Sequence, residues 1–290
     1  MTARPFDEDA LDAVYSKALA EEKAGRPEAA AAAYRACLDI DPDDHVGARL
    51  RLAALGLGET PASAGEAYVA TLFDQQAEMF EDILVRQLGY GVPELIAEGL
   101  TQLGLHHFDR TLDLGCGTGL VGTVLDGRAD EMLGVDLSEK MVEIAFDSGS
   151  YDHLYIGEAL GFLEDFDEAE PFDLIVAADV LPYLGDLSPL FAGVAARLAP
   201  AGVFAASTEA LAGGDAATDH GASNGATNGT SGPARDFAVG RDHRFHHGEA
   251  YVRRELERAG LKILSAEPIT VRMQEGQPAP GHLFLAQRPA

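Results

Sequence analysis

The sequence predicts an α/β fold, a mostly parallel sheet with crossover helices that follows an α-helical N-terminal segment. Three observations predict it. Apolar residues recur at helical spacing over residues 1–57, and from residue 110 short apolar runs alternate with helical stretches. Three glycines then stand at alternate positions just after the first of those runs.

Leu11, Val14, Tyr15, Ala18 and Leu19 mark a helix over 10–23 that breaks at Gly25-Arg26-Pro27. A second helix over 28–39 carries Ala30, Tyr34, Cys37 and Leu38 and stops at Asp41-Pro42, because proline has no N–H to continue the ladder. A third begins near Asp44 and ends at Leu55-Gly56. Residues 58–65 read as a linker. Residues 64–105 read as cap helices, with Phe73, Ala77, Phe80, Leu84 and Leu88 on one stripe and Gly91 and Pro93 opening a second helix. The expected strands are 111–115, 132–137, 173–181 and 202–208, then 262–267 and 282–287, which have no helix between them and pair as an antiparallel hairpin at one edge. Residues 106–290 form one domain. Within it, 211–235 is rich in Gly, Ala, Ser, Thr and Asn and reads as a flexible loop, a lid or a tolerated insertion.

The chain has 48 acidic and 21 basic residues among 290, a formal net charge of −27, and its only lysines are Lys17, Lys23, Lys140 and Lys262. A field of that sign repels phosphate backbones and anionic headgroups, so no nucleic-acid or membrane partner is expected. Two cysteines are too few for a disulfide framework. No apolar run approaches the ~18 residues of a membrane span, and the acidic N-terminus lacks an apolar signal core. A reduced, cytoplasmic protein is expected.

The informative segment is Leu112-Asp113-Leu114-Gly115-Cys116-Gly117-Thr118-Gly119-Leu120, a strand, a glycine loop and a helix start. Alternating glycines let the backbone turn tightly and approach a ligand, while the following helix points free N–H groups into the crevice. Gly117-Thr118-Gly119-Leu120-Val121-Gly122 also spells the dinucleotide fingerprint. Asp113 separates the readings: a carboxylate in the strand before the loop suits a ligand with an ammonium group and opposes a pyrophosphate. A buried carboxylate also needs a partner.

Asp113-Leu114-Gly115-Cys116-Gly117-Thr118-Gly119 resembles motif I of the class I S-adenosylmethionine-dependent methyltransferases, and that family's later motifs follow in order. The resemblance implies a Rossmann-like sheet with an antiparallel last strand, S-adenosyl-L-methionine as cofactor, and these roles. Asp113 meets the ammonium group, directly or through water, and Gly115, Cys116, Gly117, Thr118 and Gly119 form the cradle. Asp136, at the end of the second strand, takes the ribose hydroxyls. Leu137 and Met141 flank the adenine. Glu158 and Ala159 hold its edge, and Asp179 lies beside the sulfonium. Leu198 to Val203 is similar to the turn into the fifth strand. Phe73, Phe80 and Tyr68 cap the cofactor from the N-terminal side.

The 1–57 segment resembles a tetratricopeptide repeat of ~34 residues, with Gly25, Ala30, Tyr34 and Pro42 at matching positions. It holds about one and a half repeats, and such units need three or more to stand alone. It therefore packs on its neighbour. The whole chain is similar to a bacterial group of predicted methyltransferases with such a segment, through Phe73-Asp74-x-x-Ala77-x-x-Phe80, Asp179-Val180-Leu181-x-Tyr183 and Arg244-Phe245-x-His247-x-x-x-Tyr251. The 211–235 insertion departs from the pattern.

The resemblance implies methyl transfer to an oxygen or nitrogen of a small acceptor. The residues leave the acceptor open. His247, Tyr183 and Tyr251 are the candidate catalytic groups, with His247 and Tyr251 on one helix face if that stretch is helical. Arg244, Tyr183 and His247 are the candidate substrate contacts, and the cluster from Arg241 to His247 points to an anionic acceptor. The histidines match no trusted zinc spacing, so no metal is expected. The competing readings are a cofactor-binding scaffold that engages a protein partner through the helical segment, and a nicotinamide-dependent oxidoreductase.

Overall fold

The computed structural model describes residues 6–168, 170–212 and 236–290. All but the first two residues of the expected 211–235 loop lie outside these.

Helices α1 (Glu8–Lys23) and α2 (Pro27–Ile40) form a hairpin, and a short α3 (Ala48–Ala54) lies against α2. Tyr34, Cys37, Ala18 and Ala30 are buried where the three meet. Asp44 starts α3: its carboxylate accepts from the N–H groups of Ala48 (2.6 Å) and Arg49 (3.0 Å). That capping satisfies donors the first helical turn leaves open.

The expected single stripe through residues 73–88 is not one helix. Helix α4 (Glu66–Gln76) passes into a 3₁₀ turn at Ala77–Met79 and a π-helical stretch at Asp82–Gln87 before α5 (Val92–Gln102). Changes of helical pitch rotate the stripe, so Phe73 and Phe80 both reach one cavity while Met79 and Ile83 stay exposed.

The remaining elements alternate: β1 (Phe108–Leu114), α6 (Leu120–Val124), β2 (Ala129–Asp136), α7 (Glu139–Ser148), β3 (His153–Ile156), α8 (Ala159–Asp165), β4 (Phe172–Ala177), α9 (Ser188–Arg197) and β5 (Leu198–Ala210). After the undescribed segment come β6 (Phe237–Val239), β7 (Phe245–His247), α10 (Glu249–Arg258), β8 (Lys262–Gln274) and β9 (Gln277–Gln287). The core order is β3-β2-β1-β4-β5, all parallel. Successive strands are laid down to one side of β1 and then, from β4, to the other, and in open α/β sheets that switch point opens a crevice at the carboxyl ends.

Strand β9 runs antiparallel to β5 from Val203 to Glu209, with β8 outside it. The expected edge hairpin is present. Strand β5 outruns β4: Ala206 pairs with Ala177, whereas Glu209 and Ala210 pair with His246 and His247 of β7. Because β9 holds one edge of β5 there, the β6–β7 ribbon must take the edge above the end of β4. This is where the crevice opens. Residues 62–64, expected as linker, form its side wall: Ala64 donates to the Tyr183 carbonyl and Gly185 to that of Ala62, both at 2.8 Å.

Apolar residues of α8, α9 and α10 cover one face of the sheet, and those of α5 and α6 cover the other. Phe191 of α9 is fully buried edge-on to Phe204 of β5, with ring centroids 5.8 Å apart. Replacing Phe191 by Ala is expected to cost about 3–5 kcal/mol in denaturant unfolding. A loss under about 1 kcal/mol would show that α9 is not seated on β5.

Candidate active site

A cavity of about 370 Å³ lies over the carboxyl ends of β1, β2 and β4. Gly115 and Gly117 form its floor, Val135, Asp136 and Leu137 one side, and Gly157 to Leu160 the far end. Asp179, Val180, Tyr183 and Leu184 form the opposite end, and Val69, Phe73 and Phe80 close it from α4 and the turns beyond.

The floor depends on left-handed backbone. Gly115, Gly117 and Gly119 have φ of +66°, +53° and +93°, a region that penalises any residue with a Cβ. At Gly115 an added Cβ would also run into Val180, so the loop seats directly against the end of β4.

Asp136 is fixed by backbone. One carboxylate oxygen accepts from the Gly117 N–H and the other from the Ser138 N–H, both at 2.9 Å. Burial raises its pKa and these N–H groups oppose the rise. Each oxygen keeps a lone pair, so a vicinal diol is a fitting partner. Ser138 caps α7 by accepting from Met141 N–H, and its hydroxyl donates to Asp74 of α4 at 2.5 Å, which ties the cap to the floor.

The structure relocates several expected contacts. Asp113 does not line the cavity. It is fully buried in β1 and accepts from the Tyr151 hydroxyl at 2.7 Å, while its other oxygen has no partner among the described residues. Burial pushes its pKa up to about 7, with Tyr151 opposing. Tyr151 also accepts from Gly122 N–H at 3.1 Å. A Cβ at Gly122 or Gly134 would lie 2.6 or 2.9 Å from that ring, so the third glycine of the apparent dinucleotide fingerprint makes room for a tyrosine. Cys116, Thr118, Gly119 and Met141 stand behind the cavity surface. Glu158 lines it, with one oxygen capping α8 through Gly161 N–H at 2.7 Å. Leu137, Ala159 and Phe73 line it as expected, whereas Tyr68 packs with Leu50, Ala64 and Phe245 away from it.

Of the candidate catalytic groups only Tyr183 reaches the cavity. His247 and Tyr251 lie on β7 and α10, not on one helix, yet their rings stack 6.1 Å apart at 10°. His247 is buried with Nε2 2.8 Å from the Leu184 carbonyl, and burial pulls its pKa down to about 4. The Tyr251 hydroxyl accepts from Leu187 N–H at 2.9 Å. Both therefore hold the segment after β4 rather than a substrate.

Arg244 is also turned inward. Its Nη2 donates to Asp179 and its Nη1 to the Tyr183 hydroxyl, both at 2.7 Å, and its Nε lies 2.6 Å from Glu209. His246 faces Asp242 (3.0 Å) and Glu209 (3.7 Å). These three could surround a cation, but Glu209 is already shared by Arg244 and Arg272. Among the described residues no Lys, Arg or His lines the cavity, while Glu66, Asp136, Glu158, Asp179 and Asp186 do. The anionic acceptor expected from the basic cluster meets no positive charge from the described residues there.

A family model for the methyltransferase domain matches residues 86–266, more than half of the chain. The ubiquinone biosynthesis O-methyltransferase of Nitrobacter winogradskyi is 35% identical over 99 residues, 34% of this chain and 38% of that protein. That of Bradyrhizobium diazoefficiens is 32% identical over the same length, 34% of this chain and 39% of that protein. The chain thus spans about two fifths of the curated relatives it matches. An S-adenosylmethionine-dependent methyltransferase from Clostridium acetobutylicum superposes with a TM-score of 0.50 at 20% identity, covering 74% of this chain and 99% of that one. The [4+2]-cyclase SpnF superposes at 0.56 with 16% identity, covering 80% and 98%. At these identities the likeness is one of fold, and a fold shared by a methyltransferase and a cyclase does not specify a reaction.

Asp113→Asn keeps the acceptor for Tyr151 and removes the buried charge. A carboxyl raised from its ordinary 3.8 to about 7 on folding weakens the fold progressively between those pH values and fully above them. The stability of the Asn variant relative to the parent, from urea midpoints, is expected to rise from about pH 4 to about pH 7 and then level off. A pH-independent difference would contradict a buried, titrating Asp113.

Proposed function

The chain belongs to the methyltransferase-domain family, and from that membership we propose that it transfers a methyl group from S-adenosyl-L-methionine to an oxygen or nitrogen of a small acceptor. The observation that carries the reading is the Asp136 carboxylate, pinned by Gly117 and Ser138 N–H groups at the edge of the cavity. In this reading Asp136 receives the ribose hydroxyls. Leu137 packs on the adenine, Glu158 and Ala159 meet its edge, and Gly115 and Gly117 let the chain pass close beneath.

When bound, the cofactor supplies the activated methyl group on a sulfonium. The residues of this chain supply alignment and a water-poor enclosure, and proximity alone lowers such a barrier by several kcal/mol. Phe73 and Phe80, edge-on at 5.8 Å, exclude water from the outer side. Asp179 and Tyr183 stand at the end opposite Glu158, where the acceptor would enter between Ser63, Glu66 and Asp186. The carboxylates there favour a neutral or cationic acceptor over an anionic one. The curated relatives are named for O-methylation in ubiquinone biosynthesis, which supports oxygen as one target.

The tetratricopeptide-like reading of 1–57 enters here as a wall of the enzyme: the inner face of α3 is occupied by the β6–β7 ribbon. A protein partner would use the outer faces of α1 and α2. A cytoplasmic setting is part of the same proposal. No helix among the described residues is long and apolar enough to cross a membrane.

Calorimetric titration with S-adenosylhomocysteine tests the reading, followed by transfer of labelled methyl from S-adenosylmethionine into the small-molecule fraction of a cell extract. The parent is expected to bind, and Asp136→Ala to bind about 10- to 100-fold more weakly, the worth of hydrogen bonds to a charged group. Absence of binding to the folded parent, or equal affinity in the variant, would contradict it.

A further inference from the structure

Among the described residues the Arg244 side chain has three partners, Asp179, Tyr183 and Glu209, all within the protein. It leaves the start of β7, beside Phe245, which is fully buried against Leu50 of α3 and Ala64. His243, one residue earlier, has φ +61° and lies 3.4 Å from Arg51 of α3. The Arg244 carbonyl accepts from Gly240 N–H at 2.8 Å and closes the β6–β7 turn. The helical segment and the ribbon together therefore fix where this guanidinium points. It points at Asp179 and Tyr183, two residues that line the cavity, and its Cζ lies 4.8 Å from the centre of the Tyr183 ring.

Resting on the function proposed above, we infer that Arg244 is a positioning residue, which keeps Asp179 ionised, charge-compensated and correctly aimed beside the sulfonium and holds the Tyr183 hydroxyl at the acceptor end. Methyl transfer removes positive charge from sulfur. A bare carboxylate beside that atom would stabilise the bound cofactor more than the transition state and slow the reaction. A carboxylate paired to a guanidinium orients the cofactor without that penalty. A lysine cannot reproduce the arrangement, because one ammonium does not reach three partners in the planar geometry of the guanidinium.

Among the described residues, the groups facing Asp179 are Arg244 from just before β7, Glu209 from β5 and Arg272 from β8, with Tyr183 beside it and Tyr90 from the turn before α5. Burial raises the Asp179 carboxyl and Arg244 opposes that rise. Without Arg244 that opposition is lost and burial favours the protonated carboxyl.

S-adenosylmethionine and S-adenosylhomocysteine differ in the charge at sulfur, so the ratio of their affinities reads the charge of Asp179. In the parent the ratio is expected to stay flat from about pH 6 to about pH 8.5. In Arg244→Gln it is expected to rise with pH by about tenfold in favour of S-adenosylmethionine, as a carboxyl whose burial is no longer opposed by the guanidinium gives up its proton. Arg244→Lys is expected to show a smaller rise of the same sign, and Arg244→Gln combined with Asp179→Asn to be flat. Flat ratios in both single variants would overturn the inference, and should the Gln variant not fold, the Lys variant decides alone. A parent that binds neither compound would instead overturn the proposed function.

Discussion

The carboxylate of Asp136 and the amide of Gly117 meet across the gap between β1 and β2, and the layout of the cavity follows from that contact. The glycine loop can cross to Asp136 only because its three glycines accept left-handed backbone. The same crossing sets Gly115 against Val180 and so fixes the end of β4. Ser138 then links this contact to the cap: its backbone N–H holds Asp136, and its hydroxyl holds Asp74. Floor, strand end and cap form one connected unit.

Charge is managed differently at the two ends. At the β2 end, neutral backbone donors hold a carboxylate and leave it free to accept more hydrogen bonds. At the β4 end, half-buried Arg244 and Asp179 join buried Arg272 and Glu209 in a continuous set of ion pairs. Such sets contribute little net stability, since desolvation offsets attraction, but breaking one partner is costly. Their value is geometric. They lock the ribbon, β5 and β8 to the residues that line the acceptor end.

Much of this was legible in the sequence where signals are local. The glycine loop, the parallel strands and the closing hairpin follow from spacing and apolar runs, and Asp136 from the resemblance to the class I methyltransferases. Strand β3 was missed because four partly exposed residues carry no alternation, and β6 and β7 because three-residue strands have no period at all. The roles of Asp113, His247, Tyr251 and Arg244 depended on partners 38, 63, 64 and 61 residues away, which spacing cannot reveal. A signal for Tyr151 existed in Gly122 and Gly134, two positions without side chains in otherwise bulky elements. The basic cluster at 241–247 suggested an anionic acceptor because the sequence does not show that its arginine faces inward.

The most direct measurement is a crystal structure of the full chain with S-adenosylhomocysteine. The account predicts the Asp136 carboxylate accepting from both ribose hydroxyls, the thioether sulfur beside Asp179, and Asp113 still on Tyr151 behind the cavity wall. A nucleoside bound elsewhere, or an Asp136 that makes no contact with the ribose, would contradict it.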